Sequence, residues 1–387
     1  MTAPVTNGVR FCPGAEVFDE DAVHTTPLGY DRQRLAPGTP LPMPASAELA
    51  DRLAECDEVL VSFGGKLGDS LLALATVRAV RDWFDQSRPH ASRPFHAEGP
   101  YAALIARSGL VTGPLTQPPH GRYAVIGDPE SVARHQTEAY ASVVCDPAAP
   151  PCWATGGQAL PDMPARYYLA VERRLGIRLT ADAPFAPVLC TTPNRLAQQL
   201  HSAGWFNGLT LAAITATSWP ERKDYTAQRF TEVAVKLADG GQAQVRLLLV
   251  GGSTDGCVRI AAAQAGPGVR ALHLDGVPAD ELADVFPYCD LVMGNDTGLT
   301  HLAALSRTAE GGGPAVIGLY ARHSHSKWRT GLPHHHALAT PFSERMHQGD
   351  LCPVRDRIAP TTDVGLDVIT PAALARVCGD LLTGADR

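Results

Sequence analysis

Residues 291–306 read LVMGNDTGLTHLAALS, and the fold follows from how that stretch divides. The apolar run 291–294 suits a short buried strand, and 298–306 carries an apolar helical pattern. Asn295, Asp296 and Thr297 form the turn between them. A strand that passes directly into a helix is the repeating unit of a parallel sheet. The same grammar recurs on both sides. Apolar runs at 209–214, 245–250, 269–274 and 315–320 read as strands. Helical patterns at 226–238, 257–264 and 279–286 separate them, and 371–382 closes the chain as a helix with Pro371 in its first turn. Nearer the N-terminus, 58–63 (EVLVSF) reads as a strand and Gly64, Gly65 and Gly68 as a turn. The helix 69–84 follows, with Leu71, Leu74, Val77 and Val80 at helical spacing. Further strands are expected at 123–126 and 141–145, and a helix at 165–175. The stretch 183–194, with Pro184, Pro187 and Pro193, reads as a linker. Alternating strands and helices imply right-handed βαβ units. The expected architecture is therefore α/β: two Rossmann-like, doubly wound parallel-sheet domains facing a cleft. Residues 58–190 would form the first and 191–387 the second. Residues 1–57 would be an N-terminal extension, with a short helix at 45–56.

Composition narrows the class. With 387 residues, 45% hydrophobic and 19% charged, the chain can fill packed cores, which excludes disorder and collagen-like repeats. No apolar run reaches the roughly 18–20 residues that cross a bilayer, and no signal peptide is legible, so a cytoplasmic location is expected. Nine cysteines without a C-x-x-C pair read as reduced thiols rather than a disulfide frame or zinc site. A net charge of −7 argues against a nucleic-acid partner. The oligomeric state is not legible.

Three strand-end loops could carry chemistry. In GGKLGDS (64–70), glycines permit a tight turn and a helix start offers unpaired N–H groups. The spacing fits neither a dinucleotide fingerprint nor a P-loop. Asp69 there reads either as a helix cap or as a functional carboxylate, and the helix start should depress its pKa. In DTGLTH (296–301), backbone amides, the Thr297 hydroxyl and His301 could cradle a diphosphate, or His301 could be packed one turn inside a capped helix. The loop TATSWPERK (215–223) offers Thr215, Ser218 and Lys223 to a phosphate or sugar, and Gly251 and Gly252 allow close backbone approach. The histidines His323, His325, His334, His335 and His336 lack carboxylate or cysteine partners at ligand spacing and read as a solvated loop.

Taken together, these segments resemble glycosyltransferase family 9, the ADP-heptose:lipopolysaccharide heptosyltransferases of GT-B fold. Gly68-Asp69-Ser70-Leu71-Leu72 through Arg78-Ala79-Val80-Arg81 is similar to that family's N-terminal motif. Asp296 to Ala304 is similar to its nucleotide-site motif, and Lys223 stands seven residues before Phe230 as in the family. The chain departs from the family at Ala75, where a proline is usual, in the extension 307–313, and at Tyr320-Ala321-Arg322-His323 in place of Phe-Gly-Pro-Thr.

The resemblance implies an inverting sugar transfer from a nucleotide diphosphate donor, ADP-heptose above others, with no metal and no other cofactor. Asp69 would be the general base. Thr297, Gly298, Leu299 and His301 would hold the diphosphate, Asp296 the sugar, and Lys223 phosphate or acceptor charge. Thr215, Ser218, Gly251 and Gly252 are assigned to the donor side, Gly68 and Lys66 to the acceptor side. Acidic and basic residues are equal in number across 58–190, which favours a small polar acceptor over a phosphorylated lipid-linked one. Two alternatives stay open: a nucleotide-sugar epimerase on the same scaffold, and a non-catalytic nucleotide-binding protein.

Overall fold

The computed structural model describes residues 4–5, 8–14, 28–29, 47–87, 93–145, 152–153, 162–179, 185–215, 217, 223–241, 244–252, 256–348 and 365–384. The strands that matter for the site are β1 (Pro4–Val5), β2 (Val9–Cys12), β3 (Glu58–Ser62), β4 (Phe95–Glu98), β5 (Gly113–Pro114), β6 (Tyr123–Gly127) and β7 (Ala141–Val144). They continue with β8 (Thr210–Ile214), β9 (Val245–Val250), β10 (Val269–Leu274), β11 (Leu291–Asn295), β12 (Ala315–Tyr320) and β13 (His335–Ala339). The principal helices are α1 (Leu67–Ser87), α2 (Met163–Leu175), α3 (Ala227–Asp239), α4 (Gly298–Leu305), α5 (Pro341–Gln348) and α6 (Pro371–Thr383).

Two sheets carry the molecule. The first is wholly parallel in the order β5-β4-β3-β6-β7, and the second runs β1-β2-β13-β12-β11-β8-β9-β10. From β13 to β10 the second sheet is parallel, while β1 and β2 add antiparallel at its edge. In the parallel part of each sheet the chain starts at a central strand, works outward to one side, then returns to build the other. The reversal falls between β3 and β6 in one sheet and between β8 and β11 in the other, the crevice where α/β sheets bind ligands. The expected GT-B arrangement of doubly wound parallel sheets is borne out.

Burial explains why these residues form these elements. Strands β6, β8 and β11 are buried at every position, as strands covered on both faces must be. Helix α1 buries Leu71, Leu74, Val77 and Val80, but also Leu72, Ala73, Ala75, Trp83 and Phe84. It packs against its own sheet, α2 and α4, so its apolar surface is far wider than one stripe. Helix starts are set by side chains. Thr226 accepts from the Arg229 amide before α3, and Thr370 caps α6 with Pro371 following.

Several elements lie outside the sequence reading. Strands β2, β4 and β13 and helix α5 were not foreseen, and β2 places Val9–Cys12 on the edge of the second sheet. The proline-rich linker is no loose tether in its described part, residues 185–194. Phe185, Ala186 and Leu189 are buried, and Leu189–Cys190 pairs in parallel with Ser306–Arg307. The Arg107–Asp284 ion pair (2.5 Å) adds a second tie between the two halves. Apolar burial and these pairings therefore hold the connection, despite its prolines.

Candidate active site

The site is built at the reversal point of the second sheet. Asn295, at the end of β11, is fully buried and uses its whole amide. Its Nδ2 donates to the carbonyls of Thr215 (2.9 Å) and Tyr225 (3.3 Å), and its Oδ1 accepts from the Tyr225 amide (2.8 Å). A buried amide with these partners fixes the loop after β8 against the end of β11. Thr215 itself donates its hydroxyl to the Val250 carbonyl (3.1 Å), which commits that proton to the backbone. Gly251 and Gly252 continue β9, two strands from β11, and join none of the hydrogen bonds around Asp296. Ser218 lies outside the described residues.

Helix α4 starts at this point. Thr297 is its cap residue in extended conformation, and its side chain makes no capping hydrogen bond. The first amides of a helix have no intrahelical partner, so the Thr297 hydroxyl and the Gly298 and Leu299 amides form a ready set of donors. One turn inside, His301 is 4% exposed and its Nδ1 is buried without a hydrogen-bond partner. Burial pushes His301 down to about 4, with Asp296 opposing and Lys223 adding to the shift. The ring is therefore neutral at pH 7.

Asp296 anchors a buried charge cluster. Its Oδ2 receives Lys223 Nζ at 2.8 Å and His323 Nδ1 at 2.5 Å, and Lys223 Nζ and His323 Nδ1 are 2.9 Å apart. A nitrogen this close to a carboxylate oxygen must carry a proton, so His323 donates from Nδ1 to Asp296. The short Lys223–His323 distance results from both donors sharing one oxygen. Burial alone would raise the Asp296 carboxyl; Lys223 and His323 outweigh it and hold the group well below the ordinary range.

The first sheet supplies the opposite wall. The loop after β3 is fixed by Gly64, whose amide donates to Asp128 Oδ2 (2.7 Å) and Ser131 Oγ (3.0 Å). The start of α1 then meets the start of α4 in close backbone contact at Gly68 and Gly298. A Cβ built on Gly298 would stand 2.5 Å from the Gly68 amide nitrogen, and one on Gly68 would stand 3.1 Å from His301 Cδ2. Gly68 thus serves close approach. Its neighbour Asp69 is in the first turn of α1, two residues past the helix start, and is not the cap. The depressed pKa expected of a helix-start carboxylate is also corrected. Burial is the largest influence and raises the Asp69 carboxyl above its ordinary value. Lys66 opposes this, Asp296 adds to it, and His323 and Lys223 oppose it. The Gly68–Gly298 contact brings the two motifs together, close enough for the charges of the Lys223–Asp296–His323 cluster to act on Asp69. Lys66 is exposed at the mouth.

The helix crossing makes a measurable contrast. Gly298→Ala should destabilise the protein by about 1–3 kcal/mol, the typical cost of overpacking, because the atom it meets is backbone. Gly379→Ala, inside α6 with nothing within 4 Å of its Cβ, should stabilise by about 0.5–1 kcal/mol through helix propensity. Urea titrations of both variants test this; equal effects would mean that α1 yields freely.

The histidine-rich segment overturns the solvated-loop reading. His335 and His336 are in β13, His335 and His325 are fully buried, and His334 Nε2 contacts the Ala304 carbonyl at 2.8 Å. His323 is the residue of the Asp296 cluster that the sequence reading did not assign to the site. Its only signal was its place after β12, on the rim that carries the site.

Two parallel sheets meeting through the helices that follow β3 and β11 define a GT-B fold. Residues 166–352 match the model of glycosyltransferase family 9 (heptosyltransferase), so the chain carries a domain of that family and is a glycosyltransferase. The chain is similar to the glycosyl transferase family 9 structure from Veillonella parvula DSM 2008, with TM-score 0.61 and 14% identity over 85% of this chain and 98% of that one. It is also similar to the E. coli ADP-heptose lps heptosyltransferase II, with TM-score 0.54 and 15% identity over 85% and 100%. The E. coli heptosyltransferase WaaC with ADP gives 0.53 and 16% over 84% and 99%. At such identities the likeness establishes the fold. No curated protein matches the chain. The Asp296–His301 motif lies inside the matched segment and the Gly68–Asp69 motif outside it.

Proposed function

We propose that the protein moves a heptose-like sugar from an ADP-linked donor to a hydroxyl of a small polar acceptor, with inversion and without a metal at the diphosphate. The observation that carries this reading is the Gly68–Gly298 contact, which sets the first turn of α1, with Asp69, against the start of α4 that follows Asp296. Asp69 takes the proton as the acceptor oxygen attacks the anomeric carbon. The bond from that carbon to the diphosphate breaks, and its electron pair goes to the diphosphate oxygen. Amides at the α4 start, the Thr297 hydroxyl and the third N–H of Lys223 stabilise the charge that develops there. Asp296, held ionised, is suited to accept sugar hydroxyls.

Support for adenosine diphosphate as carrier comes from the E. coli neighbour solved with ADP. The acceptor reading rests on charge. The rim of the first sheet offers the Glu98 carboxylate, held by Ser62 Oγ (2.5 Å) and His135 Nε2 (2.8 Å), and Lys66 is that half's only lysine. A multiply phosphorylated acceptor would require a basic surface.

Calorimetry with ADP, UDP and GDP tests the donor side. ADP should bind best, and Thr297→Val should weaken it by about 1–3 kcal/mol, the cost of a lost hydrogen bond to a charged group. Unchanged ADP affinity in that variant would remove the diphosphate from α4. Turnover of the donor without any acceptor would replace transfer by isomerisation.

A further inference from the structure

We propose that Cys12, His325 and Glu344 form a binding site for one borderline transition-metal ion, zinc fitting best, which fastens strand β2 and helix α5 to the segment carrying His323. The three side chains come from separate parts of the fold: the end of β2, the segment after β12, and α5. Cys12 and His325 are fully buried, and the Glu344 side chain is 16% exposed. His325 Nε2 lies 3.7 Å from Cys12 Sγ and 3.0 Å from Glu344 Oε2, and the three ligand atoms all fall within 4.8 Å of one another.

A single nitrogen, His325 Nε2, faces both the sulfur and the carboxylate. A neutral imidazole nitrogen has either one proton or one lone pair, directed along a single line. As donor, Nε2 serves the carboxylate and leaves the sulfur beside it; as acceptor, it takes the thiol proton and faces the carboxylate with a lone pair. A cation between the three atoms satisfies all of them. Zinc bonds of about 2.3 Å to sulfur and 2.0–2.2 Å to nitrogen and oxygen, in tetrahedral arrangement, set sulfur and nitrogen about 3.5 Å apart and nitrogen and oxygen about 3.3 Å apart. The observed separations lie within a few tenths of an ångström of these.

The surroundings suit a bound ion. Arg10 holds the other carboxylate oxygen, Glu344 Oε1, at 2.7 Å, the kind of outer partner that orients a ligating group. One thiolate and one carboxylate balance a divalent charge. Sulfur with imidazole selects zinc-like ions over magnesium or calcium. The ion is removed from the sugar-transfer chemistry, since its ligand His325 is two residues beyond His323. Its effect is positional. Ser343 Oγ donates to the His323 carbonyl (2.6 Å) and Thr340 Oγ1 to the Ala321 carbonyl (2.8 Å), so α5 already grips this segment, and the ion locks both to β2.

Metal analysis of the full chain, purified from zinc-supplemented culture without chelator, should find equimolar zinc. Chelator-treated protein given Co²⁺ should show a thiolate-to-cobalt charge-transfer band that Cys12→Ser abolishes. Glu344→Gln, which keeps the side-chain shape, should weaken Zn²⁺ binding by more than about 100-fold, beyond what outer partners cost, and lower the melting temperature more in the presence of zinc than in its absence, where only the contacts to Arg10 and His325 are lost. Absence of metal and of the cobalt band in the unaltered chain would overturn the site. So would a zinc content unaffected by both substitutions.

Discussion

Replacing Asp69 with asparagine should reduce kcat by about 10²–10⁴-fold, the usual contribution of a positioned general base, while ADP affinity and melting temperature stay close to those of the unaltered protein. Asparagine matches the carboxylate in size, and the carboxylate is not the cap of α1, so little structural cost is expected. The raised pKa adds a second signature. A base must be ionised to work, so the acidic limb of kcat/KM should fall above the ordinary carboxylate range of about 3.9 and vanish in the variant. Near-normal turnover in Asp69→Asn, or an acidic limb at an unperturbed value, would leave the transfer without an identified base.

Lys223→Met should act mainly through Asp296. With the lysine gone, a carboxylate only 8% exposed on its side chain keeps His323 as its single partner. Breaking a buried pair from one side costs about 3–5 kcal/mol. The sign with pH follows from the direction of the shift. In the unaltered protein the depressed Asp296 contributes stability above the unfolded-state carboxylate pKa, lost only as pH falls through its folded value. In the variant burial raises the group, so the native state takes up its proton first and acidification relieves the buried charge. The stability deficit, measured by denaturant titration, should be largest at pH 7 and shrink toward pH 5. Lys223→Arg, which keeps the charge, should recover most of it. A deficit below about 1 kcal/mol at both pH values would show that the cluster is not energetically coupled.

Legibility in the sequence tracked how local the determining interactions are. Strands 245–250, 269–274 and 315–320 match their observed bounds; the first and last are short, mostly apolar runs buried along nearly their whole length, and 269–274 is a half-buried edge strand bounded by turns. The Asp296–His301 turn was legible because strand, turn and helix are contiguous. The partners of that turn were not. His323 meets Asp296 across 27 residues, and Gly68 meets Gly298 across the two sheets, contacts that no local pattern encodes. Strand β13 was hidden because three consecutive histidines suggest a wet loop. The structure buries His335 with its Nδ1 taken up by the Thr330 hydroxyl (3.0 Å) and its ring beside His301. Asp69 was misjudged on charge for a related reason: its position in the first turn of a helix was visible, but the wall that dehydrates it was not.

Strand β2 bears on how the protein is made. Its register partners are Cys12 with Ala337, Phe11 with Leu338 and Arg10 with Ala339, and some 325 residues separate the members of each pair. At synthesis rates of about 5–20 residues per second, the nascent N-terminal strand waits roughly 15–65 s for its partner to leave the ribosome. The first sheet, contiguous in sequence and complete by residue 144, has emerged in full long before then. The second sheet finishes last and recruits its outer edge from the oldest part of the chain. Until that moment β2 offers an open row of backbone donors and acceptors to any other strand, which makes the seconds before it docks on β13 an interval of exposure to aggregation.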